Sequence, residues 1–246
     1  LFFYLVSKSR NYLVLFILFP LAILSIFPLG VARFYAAAIY IPLLLITTPF
    51  IRKKNIFSLF FIGGLLIVFP FLNQFRYFST DTSLNFGLNF DMFAEGHFDS
   101  YQNFALIVTE NIITWGHQLL GVILFWVPRT FWPTKPVGSG HYIAEKLGMS
   151  FSNISANFFA EGYINFGFLG IILFVVFLAW FTSHMDNLYW TVIHHKENNF
   201  FRVIYYIMLG MLFFIMRGDL LSSFAYTIGF ILSLWLIYVL VKSKKK

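Results

Sequence analysis

Long apolar runs separated by short polar interruptions dominate the chain, and the length of each run decides what it can do. A helix needs about 20 mostly apolar residues to cross a bilayer. Six runs approach that length: Asn11–Pro28, which Pro20 is expected to break, Tyr35–Phe50, Ile56–Leu72, Glu161–Trp180, Phe200–Met216 and Leu220–Val241. The links between them are polar. Leu29–Phe34 carries Arg33, Ile51–Asn55 is a tight basic turn, and Arg217-Gly218-Asp219 joins the last two runs with almost no linker. Phe181–Asn199 reads as a polar connector holding His184, Asp186, His194, His195, Lys196 and Glu197. Gly63-Gly64 predicts a close helix contact. Leu1–Val6, followed by Ser7-Lys8-Ser9-Arg10, is too short to span and lacks a signal-peptide layout. It reads as the stump of a preceding helix, so residues 1–246 are expected to be a single integral membrane domain truncated at its N-terminus.

Between Asn73 and Ala160 the pattern changes. Arg76, Asp81, Asp91, Glu95, His97 and Asp99 appear among aromatics and glycines, and Val127–Gly170 holds three of the eight prolines. Phe104–Trp126 is long enough to cross but is interrupted by Thr109, Glu110, Asn111, His117 and Gln118. The distribution of Lys and Arg arbitrates. If this stretch does not cross, 11 basic residues fall on the cytoplasmic side and six outside; if it crosses, the split is nine against eight with the lysine tail outside. The first topology obeys the positive-inside rule better. It also puts eight of the ten acidic residues outside, giving a net charge of −2 on the outer face and +9 on the inner. The expected architecture is therefore all-α: a polytopic membrane helix bundle of about six spans, with an extracytoplasmic loop region over 73–160 containing short or re-entrant helices. Phe104–Trp126 is expected to be a re-entrant or surface-lying helix, and the C-terminus cytoplasmic.

Composition supports the pattern. The chain is 59% hydrophobic and 11% charged, with 35 phenylalanines, whereas soluble domains are about 45–50% apolar and about 25% charged. A soluble domain is excluded. There is no cysteine, which removes disulfides and Cys-ligated metal centres. The net charge of +7 would suit nucleic acid, but the cations sit in span flanks and in the terminal lysine tail, so no nucleic-acid partner is expected.

Chemistry is therefore sought among the polar residues of the outer face. An arginine near the membrane is costly unless it has a role. Arg217, beside Asp219, reads either as an interfacial anchor paired with that aspartate or as a cation aimed into an outward-facing cavity to hold an anion. Arg76 and Arg129 border apolar segments on the same side, and a guanidinium matches phosphate in a bidentate fork. Three prolines stiffen Pro128–Pro136 and limit the freedom of Arg129 and Lys135; the same loop also reads as an interfacial anchor through Phe131 and Trp132. Glu161 opens a membrane helix that Asn157 is placed to cap. It is either a dipole-stabilised carboxylate or a general base, with His141 and Asp99 as weaker bases. His97 and Asp99 form no three-ligand cluster, so no metal is expected. No phosphate-binding loop, nucleophile elbow or dinucleotide fingerprint is present.

Three stretches together resemble the O-antigen and capsular repeat-unit polymerases, the Wzy-type membrane glycosyltransferases: Val127–Pro136 (VPRTFWPTKP), Asn157–Gly170 (NFFAEGYINFGFLG) and Met216–Asp219 (MRGD). The run Phe98–Asn103 (FDSYQN) also fits, and the resemblance covers roughly Phe75 to the C-terminus. It implies a helical bundle of the bacterial cytoplasmic membrane with a large outer loop. It also implies a reaction in which a polyprenyl-diphosphate-linked glycan is transferred to the terminal sugar hydroxyl of a lipid-linked repeat unit. On that resemblance Arg76, Arg129, Lys135 and Arg217 neutralise the departing diphosphate, and Glu161, then His141, serves the acceptor hydroxyl. Asp99, Tyr101, Trp132 and Tyr142 meet the sugars. No cofactor or metal is implied. The implied partners are the lipid-linked glycans, the bilayer, and chain-length regulator and flippase proteins. Two rivals stand beside it. A lipid-linked oligosaccharide flippase or other polysaccharide transporter should show repeats and charges at span centres, and an O-antigen ligase-like transferase uses the same donor.

Overall fold

The computed structural model describes residues 1–2, 5, 11–27, 33–68, 70, 99–152, 154–194 and 199–243. All the elements among them are helical, as expected. Arg76 and the rest of 71–98 lie outside the described residues. The chain divides into two compact units, Leu1–Phe98 and Asp99–Lys246.

In the first unit, α1 (Tyr12–Ser25) begins at Asn11, whose side chain accepts from the Leu13 amide. Pro20 stands inside α1 rather than ending it. α2 is Arg33–Thr47, a 3₁₀ turn covers Pro49–Arg52, and α3 (Lys54–Gly63) continues into a π-helical turn, Gly64–Val68. The basic turn has a structural use: Arg52 Nε donates to the Leu45 carbonyl at 2.6 Å, satisfying a helix C-terminus. Among the described residues nothing lies within 4 Å of where a Cβ would sit at Gly63 or Gly64, and the helix widens into its π turn from Gly64. α1 and α2 have 14 and 15 residues, short of a full span.

The second unit holds three short helices, α4 (Ser100–Thr109), α5 (His117–Ile123) and α6 (Ser139–Lys146), then three long ones, α7 (Phe158–His194), α8 (Asn199–Arg217) and α9 (Leu220–Ser243). Three helices are long and apolar enough to cross a membrane, over Phe158–Thr191, Phe200–Arg217 and Leu220–Leu240, which marks a helical membrane protein. α8 packs against both α7 and α9. Near its start, Tyr205 stacks on Tyr189 of α7 at 3.9 Å, and Phe200 stacks on Tyr238 of α9 at 4.8 Å. The three therefore run antiparallel in sequence order. The 181–199 connector is mostly helix, because α7 continues to His194. Its polar residues take partners there: Asp186 accepts from the Tyr205 hydroxyl at 2.5 Å.

α7 is not one rod. Phe166 and Gly167 leave helical geometry, Gly167 at φ +64° and ψ −150°. Residues eight apart on a straight helix are separated by about 12 Å. Here a Cβ on Gly170 would lie 1.9 Å from the Gly162 carbonyl, so the first arm, 158–165, folds back onto the second at a Gly–Gly crossing. The carbonyls freed at the end of the first arm are satisfied by the α4–α5 link. Thr114 donates its amide (2.6 Å) and hydroxyl (2.9 Å) to the Ile164 carbonyl, and the Gly116 amide donates to the Asn165 carbonyl at 2.9 Å. Past the kink the second arm shows lipid-type faces, with Phe168, Leu169, Ile172, Val176, Phe177 and Trp180 all exposed.

The polar region ahead of α7 folds around its own core. Ile107, Ile112, Ile143, Ala144, Ile154, Ala156, Ala160, Tyr163 and Ile164 are buried together, with Phe104 and Tyr142 packed against them. Phe104–Trp126 contains no helix long enough to span. α4 ends at Thr109, and Asn111 (φ +48°), Trp115 (φ +50°) and Gly116 (φ +86°) turn the chain before α5.

Candidate functional site

The segment 154–157 links α6 and α7 without regular secondary structure, and all four residues are buried. Three side-chain hydrogen bonds tie it to its surroundings. Asn103 Nδ2 donates to the Ser155 carbonyl at 3.1 Å, the Ser155 hydroxyl donates to the Arg217 carbonyl at 2.8 Å, and Asn157 Nδ2 donates to the Ser100 carbonyl at 3.2 Å. Asn157 Oδ1 accepts from the Ala160 amide at 2.9 Å, the N-cap expected from the sequence.

One turn into the helix stands Glu161, fully buried. Its two oxygens are used on two other elements. Oε2 accepts from the Ser139 hydroxyl at the start of α6 at 2.7 Å; Oε1 accepts from the Leu220 amide, the first residue of α9, at 2.8 Å. The carboxyl thus sits on an α-helix N-terminus, where orphan amides and the dipole favour an anion. One side chain ties α6, α7 and α9 together.

Asp219 forms the turn before α9. Its φ is +50°, and its amide donates to the Ala156 carbonyl at 3.3 Å. Oδ2 accepts from the Ser222 hydroxyl at 2.6 Å, while Oδ1 is buried without a hydrogen-bond partner. Its carboxylate lies against Gly138, where a Cβ would meet Oδ2 at 2.6 Å, and within electrostatic reach of Glu161. Glycine is needed around this turn for space as well as conformation: a Cβ on Gly218 would be 2.0 Å from the Ala156 carbonyl, and one on Gly140 would be 2.1 Å from the Ile154 carbonyl. Arg217, half-buried at the end of α8, interacts electrostatically with Asp99; Asp99 Oδ1 is a second buried acceptor with no hydrogen bond.

Of the residues singled out in the sequence, Glu161 and the Arg217–Asp219 turn meet in this network. Arg129 and Lys135 are engaged in their own loop. Arg129 donates to the carbonyls of Lys135 (2.7 Å) and Pro136 (3.3 Å), and Lys135 Nζ donates to those of Phe125 (2.5 Å) and Val127 (2.9 Å). The prolines and these four bonds together hold the loop in one shape. His141, Tyr101 and Trp132 are not hydrogen-bonded into the Glu161 network: His141 is exposed on α6, Tyr101 is exposed on α4 with its ring edge on Phe104, and Trp132 is half-buried. Tyr142 is half-buried beneath the Lys146 ammonium at 5.9 Å. Among the described residues no three His, Asp or Glu come together as metal ligands.

No family profile matches the chain, and neither a curated protein nor a solved structure is significantly similar to it. The site must be read from its own geometry.

Ser139, Asn103 and Ser155 are the functional candidates that sequence reasoning passed over, and Asp219 enters it only as a partner for Arg217. A signal was present for one: the triplet Gly138-Ser139-Gly140 places small residues on both sides of a hydroxyl, as close backbone approach requires. Chemically, the arrangement offers one carboxyl locked in place and a second with an unused buried oxygen, while the half-buried Arg217 guanidinium interacts with Asp99. An orphan acceptor costs about 1–3 kcal/mol and is expected only where something gains from it.

Proposed function

We propose that the protein polymerises polyprenyl-diphosphate-linked oligosaccharide repeat units by glycosyl transfer at the outer surface of the cytoplasmic membrane. One observation supports this: of three stretches that together resemble repeat-unit polymerases, one holds Glu161, and the residues that bond its carboxyl follow closely after the other two. Ser139 follows the PRTFWPTKP loop, Glu161 lies in NFFAEGYINFG, and Leu220 follows MRGD. They converge at the heads of two spanning helices, the level at which a lipid diphosphate presents its sugar.

In this mechanism the acceptor sugar hydroxyl attacks the anomeric carbon of the donor. The carbon–oxygen bond to diphosphate breaks, and polyprenyl diphosphate leaves. The hydroxyl proton passes to the carboxylate pair, with Asp219, whose buried Oδ1 has no hydrogen-bond partner among the described residues, receiving it and Glu161 holding the start of α9 in position. Arg217 meets the charge that develops on the leaving diphosphate, with Arg129 and Lys135 as further cations. The lysine tail faces the cytoplasm.

A deletion strain tests this. Its surface glycan should collapse to single capped repeats, and Asp219→Asn and Arg217→Ala should fail to restore the ladder while inserting at normal levels. Complete loss of surface glycan in the deletion strain would instead indicate a flippase, and a normal ladder from both variants would remove these residues from the reaction.

A further inference from the structure

The seven-residue helix α5 has an unusual exterior. Its inner face is buried through Gln118, Gly121 and Val122, with Gly121 seated on Pro136 where a Cβ would be 2.9 Å from the ring. Its outer face carries His117 at one end, then Leu120, 46% exposed, and Ile123, 55%, and tryptophans flank it, Trp115 at 78% and Trp126 at 68%. Trp115 is also held at φ +50°, a conformation costing a bulky residue about 1–2 kcal/mol. The cost is sustained because Thr114 and Gly116 on either side are hydrogen-bonded to the end of the first arm of α7. The fold thus fixes that indole outward.

Both ends of α5 are tied to the heads of spanning helices. At its start Gly116 has no side chain to cap the helix, and Asn165 supplies the oxygen, Oδ1 accepting from the Leu119 amide at 2.7 Å. Asn165 comes directly before the kink that leads into the lipid-type arm of α7. At the other end the Phe125 ring meets Phe224 edge-on at 5.9 Å. Phe224 is four residues inside the span that begins at Leu220, about 6 Å along its axis. Glu161 holds those two helix heads side by side. Both ends of α5 are thus tied to the heads of helices long enough to span, which holds it at that level.

We propose that α5 is an interfacial helix lying in the outer surface of the bilayer, with Leu120 and Ile123 in the acyl region and Trp115 and Trp126 at headgroup level. The occupant of this face is lipid. Amphipathic helices bury an apolar face to about 5–10 Å in this way, and tryptophan favours that boundary. The helix then sets the height of the Glu161 network above the acyl chains. The placement requires only that α7 and α9 cross the bilayer and is independent of the glycosyl-transfer chemistry.

The absence of cysteine makes the test direct. Single Leu120→Cys, Ile123→Cys and, as an aqueous reference, Glu145→Cys are spin-labelled, and the protein is reconstituted in phosphatidylglycerol–phosphatidylethanolamine vesicles. At 120 and 123 collisions with oxygen should exceed those with a water-soluble nickel chelate severalfold, and the order should reverse at 145. Nickel-dominated collisions at 120 and 123 would overturn the proposal. So would immobilised labels shielded from both reagents, because protein would then cover the face.

Discussion

Glu161→Ala is expected to cost on the order of 2–4 kcal/mol of stability and to abolish the polymer ladder. The substitution removes the acceptor for two donors that stay buried, the Ser139 hydroxyl and the Leu220 amide, and each orphaned group costs about 1–3 kcal/mol. It also leaves a void where a fully buried side chain stood. For a chain of this size that corresponds to a fall of on the order of 10 °C in Tm, measurable on the purified protein in detergent. Glu161→Gln separates bracing from charge. It has the same shape, its carbonyl can accept from Leu220, and the Ser139 hydroxyl can turn to accept from its amide. Most of the lost Tm should return. A Glu161→Ala protein as stable as the parent would remove Glu161 as the brace between α6, α7 and α9.

Gly218→Ala should be comparably damaging, by a different route. At φ +128° an L side chain is strained whatever the space, and the added Cβ would sit 2.0 Å from the Ala156 carbonyl. Neither the 154–157 segment nor the two-residue turn can retreat, because the Ser155, Asp219 and Leu220 hydrogen bonds fix both. Strain and overpacking together amount to on the order of 3–5 kcal/mol. Gly148→Ala is the internal comparison. Gly148 also has positive φ, +63°, but nothing lies within 4 Å of a Cβ there, so only about 1–2 kcal/mol of backbone cost applies. Thermal unfolding of the two variants side by side should show Gly218→Ala losing at least twice as much Tm. Equal losses would mean that the close approach at Ala156 carries no constraint.

Parts of this architecture were legible in the apolar pattern because they depend on local chemistry. The runs after Glu161 and Phe200 and the run from Leu220 became α7, α8 and α9, the helices whose length and composition suit a membrane. Asn157 capped its helix because capping needs only neighbours in sequence. Glu161 stood out because a carboxylate at the head of an apolar run is expensive without a purpose.

The features that were not legible depend on distant partners. The reversal at Phe166–Gly167 leaves no mark in hydropathy, since the run stays apolar through it; it exists because Gly162 and Gly170 allow contact and because Thr114 and Gly116 satisfy the freed carbonyls. The two cations set among three prolines bond back into their own loop, Arg129 to the Lys135 and Pro136 carbonyls and Lys135 to those of Phe125 and Val127. The pairing of Glu161 with Ser139 and Leu220 spans 22 and 59 residues, and nothing in a single sequence specifies such a register.

On the proposed mechanism the Glu161 and Asp219 carboxylates, at the heads of α7 and α9, act with Arg217 to transfer glycan from a lipid diphosphate. The most direct measurement uses the protein in proteoliposomes and the lipid-linked repeat unit extracted from the deletion strain. The account predicts a glycan ladder that grows with time, one polyprenyl diphosphate released per linkage formed, and neither product with Asp219→Asn. Movement of the lipid-linked unit across the bilayer without any new linkage would contradict it.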